Sequence, residues 1–402
     1  MAIRFSIFFL ISIIFISCSQ NTELVTPAPP NSKLPSLYAD EHNNIILSWV
    51  ESAQNGVTTL KYSQFKNNKW TNPKSISSGN DWFINWADYP STIASNGSPL
   101  AAHWLKKIPG GPYAYNINLK INQDNKNWSP TITPHKDSTK TEHGFLSMVP
   151  WSNNNILAVW LDGRKTADRT NEEYGNLNKA MTFRGAIFNK KGEILNKWLI
   201  DENVCDCCNT SLAKTSNGAV AVYRDRAENE IRDIYFTKLE DNSWSEPKPV
   251  ARDNWSIAAC PVNGPQIAVK DSTVLVAWFT GAGSKKSVKA ATSSDLGETF
   301  SDPIIINENQ SLGRVDAAIS QNGQLLVSWM EEAGNGKAKL NVTSIDEGEL
   351  THYLVTEMPA SRSSGFPQLE IIKGKALMAW TSFDENGTSQ VNTKLISIKA
   401  NL

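Results

Sequence analysis

Seven short apolar runs, each closing on an aromatic residue, recur along this chain. The aromatics are Trp49, Trp104, Trp160, Tyr223, Trp278, Trp329 and Trp380, at steps of 51 to 63 residues. The run Ile156–Leu161, followed at once by Asp162, Gly163 and Arg164, is the clearest copy. A repeating step of this size marks an architecture of stacked units, none of which buries its apolar face alone. Inside each unit the same order returns. A short strand comes first, such as residues 89–94 or 265–269. An Asn-Gly turn follows at Asn96-Gly97, Asn217-Gly218 or Asn322-Gly323, and then the aromatic-ended strand. A polar loop leads to an alternating third strand, as at 233–237 and 338–342. A Trp closely followed by Pro opens a short fourth strand, as at Trp70, Trp128 and Trp244. Short strands with turn signals about every ten residues are an all-β pattern, and four strands per unit repeated radially make a β-propeller.

The spacing predicts seven blades, with first strands beginning near residues 36, 89, 145, 210, 264, 314 and 367. The last unit shows only three strands, so an N-terminal strand around Thr22–Thr26 is expected to complete it and hide the edges that would otherwise pair with other chains. The repeated aromatics are expected to pack between blades, as large apolar side chains on regular strands do.

The chain has 402 residues and a formal net charge of -1. That balance argues against nucleic acid as a partner, because neutralising phosphates needs a basic face. The units run without a linker from residue 34 to residue 402, one domain expected to act as a monomer. Ahead of them, residues 1–17 carry Arg4 and the apolar run Phe5–Ile16, the layout of a secretory signal too short to span a bilayer. The Ser17-Cys18 ending resembles the bacterial lipobox, which implies cleavage before Cys18 and lipid on its thiol. Ser19 resembles the residue that permits transfer to an outer membrane, periplasmic or surface-exposed. Residues 19–33, rich in Pro, Asn and Ser, read as a flexible tether, part of which could close the last blade.

The segment Ser293, Asp295, Gly297, Thr299, Phe300 fits the Asp-box pattern, in which Ser and Asp side chains bond backbone amides across a tight turn that Gly permits. Degraded copies end at Trp128 and Trp244. On these residues the chain resembles the Asp-box, sialidase-like propellers over residues 34–400. That resemblance implies a glycan ligand and, since sialidases have six blades, a six-bladed alternative. It also implies three Arg clamping a carboxylate, a Tyr–Glu nucleophile pair and an Asp acid/base. Residues 34–80, where the family carries its first Arg, contain none. Arg164, Arg224, Arg226 and Arg314, with Tyr235 and Asp88, are the available substitutes, and no motif assigns them to roles.

In a propeller the segments entering the innermost strands converge on one mouth of the central channel, and the second strands open on the same face. That face collects Trp86, Asp88, Glu142, His143, residues 205–209, Cys260 and Asp316. The exits of the second strands add Asp162, Arg164, Arg224, Asp225 and Arg226. Loops on a rigid scaffold are where sites are built. Asp88, Asp162, Asp225 and Asp316 are the candidate catalytic carboxylates, since glycoside hydrolysis needs two flanking the bond. Trp86, His143, Arg164, Arg224, Arg226 and Arg314 are the candidate contacts to a glycan or other small anionic ligand. A sialidase-like, extracytoplasmic lipoprotein that binds or hydrolyses a glycan at the channel mouth is the leading expectation. A non-catalytic binding or scaffold propeller is the alternative.

Cys205, Cys207, Cys208 and Cys260 enter adjacent blades. A bridge from Cys207 or Cys208 to Cys260 would close roughly 50 residues and contribute about 4 kcal/mol in an exported protein. Alternatively the thiolates, with His143, form a metal site suited to copper or zinc. The long loop Lys165–Ala180, with Asp168, Arg169, Glu172, Glu173 and Tyr174, is a lid or a disordered segment. His42, His103 and His135 read as structural.

Overall fold

The computed structural model describes residues 22–124 and 127–399; the signal segment and Cys18 lie outside them. Seven antiparallel sheets follow one another along the chain. Their innermost strands are Ser32–Ala39, Ser91–Ser95, His143–Pro150, Ser211–Lys214, Gln266–Lys270, Ser311–Ile319 and Gln368–Ile372. This is a seven-bladed β-propeller, so the six-bladed alternative does not hold. Blade 2 has three regular strands, Ser91–Ser95, Ser98–Lys107 and Tyr115–Ile121. Among the described residues, isolated bridges, Leu119 to Ile132, Asn122 to Trp128 and Tyr115 to Glu142, stand where its fourth strand would run. The chain from there to His143 is irregular, and that departure from the repeat carries part of the site described below.

Each aromatic of the repeat fills the seam with the preceding blade. Trp104 shares an apolar cluster with Val50, Leu60 and Tyr62 of blade 1, and Trp278 with Val220, Val222 and Phe236 of blade 4. Trp49 does the same against Leu377, Ala379 and Val391 of blade 7, which closes the ring. Four of the repeat's indole N–H groups are also paired, those of Trp49 to Glu51 at 2.8 Å, Trp160 to Asp162 at 3.2 Å, Trp278 to Asp253 at 2.7 Å and Trp329 to Thr343 at 2.7 Å, which lowers the cost of burying them.

Blade 7 takes its fourth strand from the N-terminal side. Thr22–Leu24 pairs with Ser389–Ser397, with Glu23 opposite Lys394. Thr26 then donates to the Val391 carbonyl at 2.6 Å, the Asn31 amide to Ser389 at 2.7 Å, and the Val391 amide to Ser32 at 3.0 Å. Residues 22–32 are therefore bonded along the last blade. In blade 5, Asp295 accepts from the Thr299 amide at 2.9 Å and hydroxyl at 2.6 Å, and Ser293 accepts from the Gly297 amide at 2.8 Å. Gly297 is at φ +85°, in the left-handed region, with no room for a Cβ against the Phe236 ring.

Candidate functional site

The strands alternate in direction, so the entries to the innermost strands and the exits of the second strands lie on one face. The channel mouth on that face is filled. Trp86 stacks on Phe366 at 5.7 Å, and Phe145 and Phe366 are buried beside Ala87. Arg314 lies over the Trp86 ring at 5.0 Å and donates to the Ser361 and Gly365 carbonyls at 2.9 and 3.1 Å. Below this plug sits a channel cavity of about 210 Å³, lined by Asp316, Glu370, Gln368 and Tyr89 among others. Asp316 accepts from the Leu369 amide at 2.7 Å and the Ala317 amide at 2.8 Å. Burial raises both Asp316 and Glu370, although the cavity leaves them in part open.

The polar groups gather off the axis, over blades 2 to 4. Asp88 is buried and accepts from the Tyr115 hydroxyl at 3.0 Å and the Phe145 amide at 2.9 Å. Burial pushes its carboxyl up to about 7. Gly144 makes room for it, since a Cβ there would fall 1.9 Å from the Asp88 Oδ2. The same hydroxyl oxygen is 2.5 Å from Glu142; it has one proton to give, so one of the two contacts is made by a protonated carboxyl donating to it. Glu142 is half-buried, and burial raises its carboxyl as well.

Beside Glu142 the loop after Asp162 folds back through two short helical turns, Arg164–Thr166 and Leu177–Lys179. It lays Tyr174 among three arginines. The guanidinium carbons of Arg169, Arg226 and Arg232 stand 5.0, 4.6 and 5.9 Å from the Tyr174 ring centre. Arg226 also donates to the Tyr174 carbonyl. Two carboxylates face them. Asp206 pairs with Arg169 at 2.6 Å and Arg226 at 3.4 Å, and Glu230 with Arg226 at 2.7 Å and Arg232 at 2.5 Å. Three cations against two anions leave one positive charge beneath the ring.

A second cluster lies at the irregular end of blade 2. His135 and His143 stack with ring centres 3.7 Å apart and 4° between planes. Asp137 Oδ2 is 3.4 Å from His135 Nδ1 and 3.2 Å from His143 Nε2. Burial and the neighbouring His143 lower His135 to about 4. Arg164 holds Asp162 in a fork at 2.6 and 2.7 Å and reaches Asp137 at 3.3 Å. Burial alone would raise Asp162, but this guanidinium holds it below the usual carboxylate range.

The four cysteines form two bridges, Cys205–Cys208 and Cys207–Cys260, with Cα separations of 5.9 and 6.1 Å. Three of the sulfurs are close enough to hold a metal, as are His135, Asp137 and His143. The bridged sulfurs, however, offer no thiolate.

The structure thus joins Arg226 to residues of the long loop, and His143, Asp162 and Arg164 to His135 and Asp137. It keeps Trp86, Arg314 and Asp316 apart, in the plug and channel. Arg224 is buried and makes four hydrogen bonds to the carbonyls of Asn263, Arg232 and Phe279, which commits its guanidinium to the fold. Asp225, raised to about 7 by burial and by Asp201, stands apart from both clusters. Sequence reasoning missed Tyr115, Asp137, Arg232 and Glu230 and took His135 for a structural residue. The spacing of His135, Asp137 and His143 was the one available signal.

No protein-family model matches the chain, and no curated protein matches it. Solved structures resemble it to different degrees. A protein of unknown function from Dyadobacter fermentans is 14% identical with a TM-score of 0.52, over 95% of this chain and 98% of that one. An ulvan lyase, described as a new family of polysaccharide lyase, is 10% identical with a TM-score of 0.50, over 93% of each chain. A mutant Trypanosoma rangeli sialidase is 11% identical with a TM-score of 0.44, over 77% of this chain and 54% of that one. At these identities the likeness is one of fold.

Proposed function

We propose that this propeller takes an acidic glycan in the arginine cradle that Tyr174 covers. The observation that carries the reading is the convergence of Arg169, Arg226 and Arg232 on one ring, with only Asp206 and Glu230 to balance them. Planar guanidinium groups from two loops, Arg169 on one and Arg226 and Arg232 on the other, suit a sugar carboxylate or sulfate, which would replace Tyr174 over the two buried arginines. The loop carrying Arg169 and Tyr174 acts as the lid: it lifts to admit the ligand and returns its ring to the apolar face of the sugar. Glu142, with Tyr115 holding it from behind, is the carboxyl placed beside the bound chain. The occurrence of this fold in a polysaccharide lyase is in keeping with a glycan ligand.

The setting that suits this reading is the cell envelope, with the chain held by lipid on Cys18. The two disulfides support an exported chain. Replacing Cys18 with Ser should move the protein from the membrane fraction to the soluble one.

Binding is tested by calorimetry with uronate- and sialate-containing oligosaccharides against neutral ones. An acidic oligosaccharide should bind, and Arg169→Gln should weaken it by about tenfold, equivalent to about 1.4 kcal/mol. Release of new chain ends from a bound polymer, lost in Glu142→Gln, would add cleavage to binding. Equal affinity for neutral and acidic chains, or indifference to both Arg169→Gln and Tyr174→Ala, would overturn the reading.

A further inference from the structure

The bonding account of the blade 2 cluster does not close. Both nitrogens of His135, both nitrogens of His143 and the Oδ2 of Asp137 are buried without a well-aligned hydrogen bond among the described residues, although Oδ2 lies within ion-pair distance of His135 Nδ1, His143 Nε2 and Arg164. The His143 side chain is 0% exposed and that of His135 is 2% exposed. Buried polar atoms are nearly always satisfied, and five together in one place point to something that satisfies them at once.

We propose that His135, Asp137 and His143 bind a divalent first-row transition metal ion of the Zn2+ class. One ligand atom from each residue can be chosen so that all lie within 4.8 Å of one another, and an ion between them requires the two stacked imidazoles to tilt so that their lone pairs converge. Two imidazoles and one carboxylate are the donor set of an open zinc site, with a position left for water or ligand. Imidazole suits zinc, copper, iron and nickel, whereas magnesium and calcium take oxygen ligands. The frame is rigid on one side: His143 opens the innermost strand of blade 3 and lies directly opposite Asp162 in the register. Asp162 Oδ1 is 3.6 Å from His143 Nε2 and is itself held by the Arg164 fork. That places it where an outer partner orients a ligand, a role that supports affinity without touching the ion. Asp137, 13% exposed on its side chain, marks the way in. The site owes nothing to the cysteines, which are paired with one another.

The test uses the whole exported domain with its disulfides intact, stripped with a chelator and titrated calorimetrically with ZnCl2, MgCl2 and CaCl2. One Zn2+ per chain should bind, raise the melting temperature, and outcompete the two hard cations. Asp137→Asn, a near-isosteric change at the edge of the cluster, should weaken Zn2+ by at least the roughly 10–100-fold that loss of an outer partner costs, in a protein that still melts in one cooperative transition without metal. His135→Ala should abolish binding; should that variant fail to fold, Asp137→Asn still decides. Absence of Zn2+ binding, full retention of it in Asp137→Asn, or its loss on alkylation of the thiols after reduction with both histidines intact would each overturn the assignment.

Discussion

Leu24 lies directly opposite Thr393 in the antiparallel pair that joins the first described strand to the last. The ring is closed by hydrogen bonds between segments that stand at opposite ends of the chain. Removing residues 22–28 should therefore lower stability rather than merely shorten a tether. The three-residue pairing and the Thr26 bond to Val391 together should be worth about 2–4 kcal/mol, from net contributions of about 0.5–1.5 kcal/mol per hydrogen bond. Urea unfolding of the truncated protein checks this. An unchanged midpoint would mean that the closure is dispensable.

The Cys207–Cys260 bridge ties the entry of blade 4 to that of blade 5 across 53 residues. Loop-closure entropy assigns it about 4 kcal/mol, against about 2 kcal/mol for the short Cys205–Cys208 bridge. Cys260→Ser should thus cost more stability than a Cys205→Ser, Cys208→Ser double variant. Calorimetric melting of the two variants decides the order.

Arg224 should matter to folding rather than to ligand. Its guanidinium satisfies the carbonyls of Asn263, Arg232 and Phe279 from within the protein, stacked at 4.9 Å on Trp255. Arg224→Ala orphans three buried acceptors and should destabilise by about 3 kcal/mol or more. Arg224→Lys should recover little, because a compact ammonium cannot spread its donors over the span of three guanidinium nitrogens or stack as a plane on Trp255. Chemical denaturation reads both, and a loss of glycan binding without loss of stability would contradict this assignment.

Asp88 gives the fold a pH dependence. Its ordinary value of 3.8 rises to about 7 through burial, so the folded state holds a proton that the unfolded chain has lost between those values. Stability is then fully present below about pH 4 and lost as pH rises through about 7. The group contributes a slope of up to about 1.4 kcal/mol per pH unit within that window. Asp88→Asn, which keeps an acceptor for Tyr115 and Phe145, should flatten the dependence by one group's share. A series of melting temperatures from pH 4 to pH 9 for both proteins is the check. Identical slopes would show that Asp88 is ionised throughout.

The blade count was legible because it rests on local chemistry. An apolar run ending in Trp or Tyr recurs in every unit, and each aromatic needs the same seam to bury it, as Trp49, Trp104 and Trp278 show. Strand direction follows from the turns between runs, so the sequence by itself also determined which face would collect His143, Asp162, Arg164 and Arg226. It could not decide which of these touch. His135 and Asp137 sit in an irregular stretch with no period to place them, Tyr115 reaches Glu142 and Asp88 from a neighbouring strand, and Arg232 meets Arg226 through Tyr174 and the shared Glu230. The choice of cysteine partners and the plugging of the channel by Trp86 and Phe366 were also left to the tertiary structure. The physical reason is the same in each case. A repeat encodes the packing of one blade on the next, whereas contacts between loop side chains depend on where seven such packings bring the loop ends together.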